Sequence, residues 1–218
     1  MAHLPARYLS KTDVDKIIVQ LRRHHISQLL ILRGDPRPGL PVKNDFVHAS
    51  DLIAYVHQKY PDFKITGACY PEKHPESPDM VAEIKHLKTK VDAGCDQLIT
   101  QLFLDNHCFY HFKELCSIAD INVPIVAGIM PIVNERQANH IFQASEVNVP
   151  EKFTHILDRY RDYPEALKEA GITYAIDQIV DLVTNGVAGI HLYTMNRPET
   201  ARQIKRNIGS LFIANPVA

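Results

Sequence analysis

Two rhythms alternate along the chain. Short continuous apolar runs, each closed by glycine, proline or charged residues, read as strands buried on both faces. Between them, apolar positions recur at helical spacing. The clearest run opens the stretch LLILRGDPRPG, where Leu29-Leu30-Ile31-Leu32 lies in a strand predicted over 27–33. Before it, Val14, Ile17, Ile18 and Leu21 form one apolar face of a helix over 12–24, with Thr12 and Asp15 placed as a capping box. After it, Ser50 is placed to cap a helix carrying Leu52, Ile53 and Val56. KITGACY, over 64–70, is the next strand. Ser77-Pro78-Asp79 then opens a helix, with Ser77 as N-cap and Pro78 in the first turn. Its core face is Met80, Ile84, Leu87 and Val91, and Gly94 ends it. QLITQLFL, over 97–104, reads as a strand, followed by a helix over 106–118 and a strand over 123–129. Helices are predicted over 134–144, 150–160 and 164–185, then a last strand over 189–194 and a closing helix from Arg197.

Strands alternating with helices imply parallel β/α units. Two arrangements compete, an open doubly wound sheet and a closed (β/α)8 barrel. No G-x-G-x-x-G follows a strand, which weakens the dinucleotide-binding open sheet. Almost every strand instead ends in polar or charged residues: Arg33 and Asp35, Tyr70 to His74, Asp105, Asn134, Asn196 and Arg197. Functional groups at many strand ends describe a barrel mouth. Gly34 lets the backbone of its loop approach a ligand closely, with Asp35 facing that ligand and Arg33 beside it.

Composition narrows the function classes. The 218 residues are 45% hydrophobic and 22% charged, an ordinary globular balance. A net charge of -1 with dispersed Lys and Arg argues against a nucleic-acid partner or a polybasic membrane patch. No apolar run reaches membrane-span length, and MAHLPARYLSKTDVDK has no signal-peptide core, so a cytoplasmic location is expected. Four cysteines without C-x-x-C spacing read as free thiols, and twelve histidines form no H-E-x-x-H pair, so no metal is expected.

Five segments in order are similar to the methylenetetrahydrofolate reductase family: LILRGDPRPG, YPEKHPES, LKTKVDAGCDQLITQLFLD, PIVAGIMPIVN and GIHLYTMNR. The resemblance covers nearly the whole chain. It implies a TIM barrel forming a single domain over 1–218, FAD at the mouth, and NADH or NADPH as hydride donor. The implied reaction is reduction of 5,10-methylenetetrahydrofolate to 5-methyltetrahydrofolate, in one-carbon metabolism and methionine supply. The resemblance assigns cofactor contacts to His3, Leu32, Arg33, Gly34, Asp35, Ala49, Tyr70, His74, Glu83, His86 and Lys90. Thr89 stands before Lys90, where an arginine is common in the family. Asp35 and Gln101 are implied as catalytic residues, and Asp35, Gln101, Gln137 and Arg197 as contacts of the folate. Asp35 would stabilise a cationic iminium at the pterin. Gln101 would meet nicotinamide and folate in turn, and Arg197 would pair with the folate's glutamate tail. At Ile141 the family often carries an aromatic that stacks on substrate; here Phe142 follows it instead.

The resemblance begins at the family's third β/α unit, with Ala2–Ala6 as the first strand. Nothing in the sequence matches the family's FEFFPP-like strand and its acidic glutamate. Six strands are expected where a closed barrel has eight in about 250 residues. An incomplete barrel is therefore expected, as a member of the enzyme family or as an inactive fragment. Such a fragment would retain nucleotide-binding surface or complete its barrel with another chain. A homo-oligomer is compatible with either.

Overall fold

A computed structural model describes residues 1–36, 38–144 and 147–214. Arg37, inside the LLILRGDPRPG stretch, lies outside the described residues. Strand and helix alternate as β1 (Ala2–Pro5), α1 (Lys11–Arg23), β2 (Gln28–Leu32), α2 (Ala49–Lys59), β3 (Lys64–Cys69), α3 (Met80–Asp92), β4 (Gln97–Thr100) and α4 (Asn106–Ile118). They continue with β5 (Ile125–Ile129), α5 (Glu135–Ala144), α6 (Glu151–Tyr160), α7 (Pro164–Thr184), β6 (Ile190–Leu192) and α8 (Pro198–Ala214). The chain divides into two compact units. The first comprises Met1–Cys69, Ile84–Ile99 and Ile118–Pro124. The second comprises Tyr70–Glu83, Thr100–Ser117 and Ile125–Ala218.

In the first unit β1, β2 and β3 pair in parallel and in chain order, as strands joined by helical crossovers must. The register places His3 beside Leu30 and Leu30 beside Thr66, one row on one face of the sheet. Leu4, Ile31 and Gly67 form the adjoining row on the other face. That second face carries the core. Leu29, Ile31 and Ile65 are wholly buried, with Leu52, Ile53 and Val56 of α2 and Val14 and Ile18 of α1. Each such side chain contributes about 1.5–3 kcal/mol by leaving water.

Three helix starts differ from the sequence reading, each because a carboxylate captures a neighbouring N–H. Helix α1 starts at Lys11, and its capping box is Ser10 with Asp13 rather than Thr12 with Asp15. Asp15 instead accepts hydrogen bonds from Tyr55, Lys59 and Tyr60. Helix α2 is not capped by Ser50, which lies within it. The Asp51 carboxylate accepts from the N–H groups of Val47 and His48. Helix α3 starts at Met80 rather than at Ser77-Pro78, because the Asp79 side chain takes the Ala82 N–H.

In the second unit β5 and β6 pair in parallel, Ala127 with Ile190 and Ile129 with Leu192. Thr100, the last residue of β4, accepts the Gly128 N–H on its hydroxyl and the Tyr193 hydroxyl proton on its carbonyl, at 2.8 and 2.9 Å. A core of Leu102, Leu104, Ile132, Ala138, Ile141, Phe153 and Tyr174 lies beneath the segments that follow β4 and β5. The strand predicted to run to Leu104 stops at Thr100. Gln101 folds its side-chain oxygen onto the Leu102 N–H, and the carbonyls of Phe103 and Leu104 turn to α7. No helix among the described residues is long and apolar enough to cross a membrane. Among the described residues no group of three or more His, Cys, Asp or Glu side chains could hold a metal ion.

Candidate functional site

In the first unit the predicted residues Arg33, Gly34 and Asp35 share the loop leaving β2. A 3-10 turn, Ala6–Tyr8, leaves β1 beside it. The Arg7 N–H donates to the Arg33 carbonyl at 2.9 Å, and the Arg7 Nε donates to the Gly34 carbonyl at 3.1 Å. The Tyr8 hydroxyl donates to the Asp35 carbonyl at 2.7 Å. Three successive carbonyls are thus held, and the Asp35 side chain is left exposed to solvent. Gly34 has φ +86°, and a Cβ there would lie 2.9 Å from the Pro5 Cβ. Glycine is therefore required twice over, by conformation and by space. The sequence reading missed Arg7 and Tyr8. Their signal was available: ARY closes the segment AHLPARY, one strand before the loop that it grips.

The other predicted residues of this unit are more dispersed. His3 is exposed in mid-strand on β1, on the face that carries Leu30 and Thr66. Leu32 ends β2, opposite Pro5. Ala49 opens α2, and His86 is exposed on α3. Lys90 lies on the opposite face of the sheet from His3. Its stem packs over Gly67, where a Cβ would come within 3.0 Å of it, and its ammonium donates to the Ala68 carbonyl at 2.5 Å. The Gly67 position thus admits a cation that reaches the end of β3.

In the second unit Tyr70 and His74 are brought together as an edge-to-face pair with ring centroids 4.7 Å apart. Their loop is tightly turned: Lys73 has φ +69°, and its N–H donates to the Tyr70 carbonyl. His74 Nδ1 accepts the Glu76 N–H at 3.1 Å. The neutral ring consequently carries its proton on Nε2, which makes that nitrogen a donor. Glu83 is 4% exposed, and its carboxylate accepts from the Ser77 hydroxyl at 2.6 Å and the His74 N–H at 3.2 Å. It braces the loop from α3, and Ser77, predicted as a helix cap, is its partner. Glu72 accepts from the Cys108 thiol at 3.3 Å and from the Asn148 N–H. Burial pushes the Glu72 carboxyl up. Burial, together with the Glu72 charge, pushes the Cys108 thiol up to about 12.

Gln101 is half-buried one residue past the end of β4. Its Oε1 accepts the Leu102 N–H at 2.9 Å, which directs its donor capacity to the Nε2 group. Gln137 in α5 uses both ends of its amide on the segment after β5. Oε1 accepts the Val133 N–H and Nε2 donates to the Pro131 carbonyl, each at 3.1 Å. Ile141 is buried in the core, and Phe142 lines a cavity of about 290 Å³ with Ala138, Val149 and Leu157. None of the predicted site residues lines that cavity. Arg197 is exposed just before α8, where Met195 and Asn196 both have positive φ.

Each predicted group after a strand sits at a C-terminal end, where β/α folds present their chemistry. In the first unit these groups are a guanidinium, an ammonium and one exposed carboxylate; in the second they are an aromatic pair, amides and a guanidinium. The family profile described as methylenetetrahydrofolate reductase matches residues 1–209. A relative from Arabidopsis thaliana, named methylenetetrahydrofolate reductase (NADH) 1, is 35% identical over 96% of this chain and 38% of its own length. The 5,10-methylenetetrahydrofolate reductase of Escherichia coli strain K12 is 36% identical over 84% of this chain and 61% of its own. The chain therefore spans less than two thirds of these relatives. A solved structure is similar in fold at TM-score 0.56 and 12% identity, covering 97% of this chain and 93% of its own. It is an uncharacterized protein from Clostridium thermocellum, described as binding two copies of 5-methyl-5,6,7,8-tetrahydrofolic acid.

Proposed function

The chain belongs to the methylenetetrahydrofolate reductase family, and we propose that it serves the family's reaction, the reduction of 5,10-methylenetetrahydrofolate to 5-methyltetrahydrofolate with NADH or NADPH and FAD. The observation that carries this reading is the loop after β2. Three hydrogen bonds hold its backbone, and they leave one carboxylate, Asp35, exposed at the end of a parallel strand.

FAD, when bound, supplies the two-electron relay between nicotinamide and folate. His3, Leu32, Arg33, Gly34, Asp35, Ala49, Tyr70, His74, Glu83, His86 and Lys90 are the residues proposed to hold it. Arg33 and Lys90 supply positive charge suited to a diphosphate, and the Tyr70–His74 pair supplies an aromatic edge. Glu83 acts by bracing the His74 loop. The remaining chemistry falls to the folate contacts. Ring opening of the substrate, with the departing nitrogen taking a proton from solvent, leaves a cationic iminium at the other nitrogen, and the Asp35 carboxylate stabilises that charge as it develops. Gln101 offers its Nε2 donor to the substrate's polar edge. Gln137 fixes the segment after β5, and Arg197 pairs with a carboxylate of the substrate tail.

The test is direct. The 218-residue chain is purified, its flavin absorbance recorded, and NAD(P)H added anaerobically, followed by methylenetetrahydrofolate. Bleaching by NAD(P)H and recovery of colour with folate support the reading. A colourless chain that turns over neither substrate supports the inactive fragment instead.

A further inference from the structure

We infer that α7 is a positioning element for the folate contacts: Gly171, Tyr174 and Gln178 form a buried stripe that fixes the segment presenting Gln101 and the segment after β5 that the Gln137 amide holds. This rests on the proposed roles of those two glutamines. Steps of three and four residues put the stripe on one face of the helix. The Tyr174 hydroxyl donates to the Leu104 carbonyl at 2.7 Å, and Gln178 Nε2 donates to the Phe103 carbonyl at 3.3 Å. These carbonyls lie past the end of β4. Buried there, they need donors from elsewhere, and α7 supplies them. Tyr174 and Gln178 are 8% and 6% exposed. The same Gln178 amide donates to Asn106 Oδ1, and Asn106 returns a hydrogen bond to the Gln178 carbonyl, so the start of α4 is locked to the stripe as well.

Gly171 serves the second segment. A Cβ on it would lie 1.8 Å from the Ile132 carbonyl oxygen, so backbone meets backbone with no room for a side chain. Gln137 holds the same segment through Pro131 and Val133. The segment is thus held by the glutamine's amide at Pro131 and Val133 and met by α7 at Ile132. Tyr174 packs edge-on against Phe153 at 4.9 Å, which sets its hydroxyl without using the hydroxyl's hydrogen bond. None of the three residues needs to touch the folate. Tyr174 and Gln178 act through the segment that presents Gln101, and Gly171 through the segment that Gln137 holds.

Equilibrium binding of 5-methyltetrahydrofolate to the 218-residue chain tests this, by titration calorimetry on wild type, Gln101→Ala, Tyr174→Phe and the double variant. Phenylalanine keeps the ring against Phe153 and removes only the donor. Each single variant is expected to bind about three- to tenfold more weakly, the usual reach of one hydrogen bond. The double variant is expected to bind no more weakly than Gln101→Ala alone, because a residue acting through Gln101 has nothing left to act on. Losses that multiply in the double variant, or an unchanged Tyr174→Phe, overturn the inference while leaving the functional reading intact. A Gln101→Ala chain that binds like wild type, or a wild type that does not bind, overturns the folate reading and this inference with it. Gly171→Ala with Gln137→Ala forms a second cycle, expected to be non-additive in the same way, and additive losses there remove Gly171 from the stripe.

Discussion

Arg7 Nε donates to the Gly34 carbonyl at 3.1 Å, joining residues 27 positions apart. With the Arg7 N–H on Arg33 and the Tyr8 hydroxyl on Asp35, the exit of one strand becomes the mould of the next strand's loop. The loop's shape therefore depends on β1 and β2 being neighbours in register, Pro5 beside Leu32.

Gly34→Ala should break this mould. The new Cβ meets Pro5 at 2.9 Å while the backbone stays at φ +86°. The expected loss is about 1–3 kcal/mol, read from the urea midpoint, and on the proposed function flavin retention falls in parallel. A midpoint equal to wild type would show that the loop yields without cost.

On the proposed function, Asp35→Asn should separate the two half-reactions. The amide keeps the size of the side chain and loses its charge, so NAD(P)H oxidation should continue while folate reduction falls by about tenfold or more, since only the second step builds a cation. Stopped-flow measurement of both half-reactions decides it. Equal losses in both would mean that Asp35 holds the flavin only.

Acid should loosen the outer face of α1 and α2 through Asp15. The Lys59 hydrogen bond first, then those of Tyr55 and Tyr60, lower its carboxyl from 3.8 to about 2. A depressed folded pKa gives stability that is present above the unfolded value and lost as pH falls through the folded one. The window is therefore from about pH 4 down to about 2. Asp15→Asn should flatten the fall in thermal midpoint across that window, and an unchanged slope would remove Asp15 as its source.

Thiol reagents should find the folded chain slow to react. Cys69, Cys95 and Cys116 are buried, and Cys108, held by burial and Glu72 at a pKa of about 12, carries little thiolate at neutral pH. Glu72→Gln should raise the rate at Cys108, because the neighbouring charge is gone. Ellman's reagent measures both, and a fast-reacting native thiol in the unmodified chain would contradict the geometry.

The sequence by itself determined the order of elements, because burial imposes period on apolar residues. Leu29 to Leu32 reads as a buried strand, and Val14, Ile17, Ile18 and Leu21 as a helix face. It also marked Arg33, Asp35, Tyr70 and His74 as polar groups following such runs, with Gly34 between the first two, but placed Gln101 inside the strand it read over 97–104. Element ends were less legible. Ser10 rather than Thr12 caps α1, and Asp79 rather than Ser77 caps α3, because several oxygen-bearing residues compete within one turn and the backbone chooses among them. The end of β4 at Thr100 was not readable at all, since Leu102, Phe103 and Leu104 are as apolar as a strand. They are core residues of a loop whose carbonyls are received by α7, about seventy positions away. Tertiary structure alone could pair Arg7 with Gly34, Glu83 with Ser77, and Tyr174 with Leu104. Hydrophobic pattern is a local property of the chain, whereas a hydrogen-bond partner is decided by which strand ends and helix faces the fold brings within 3 Å or so of one another.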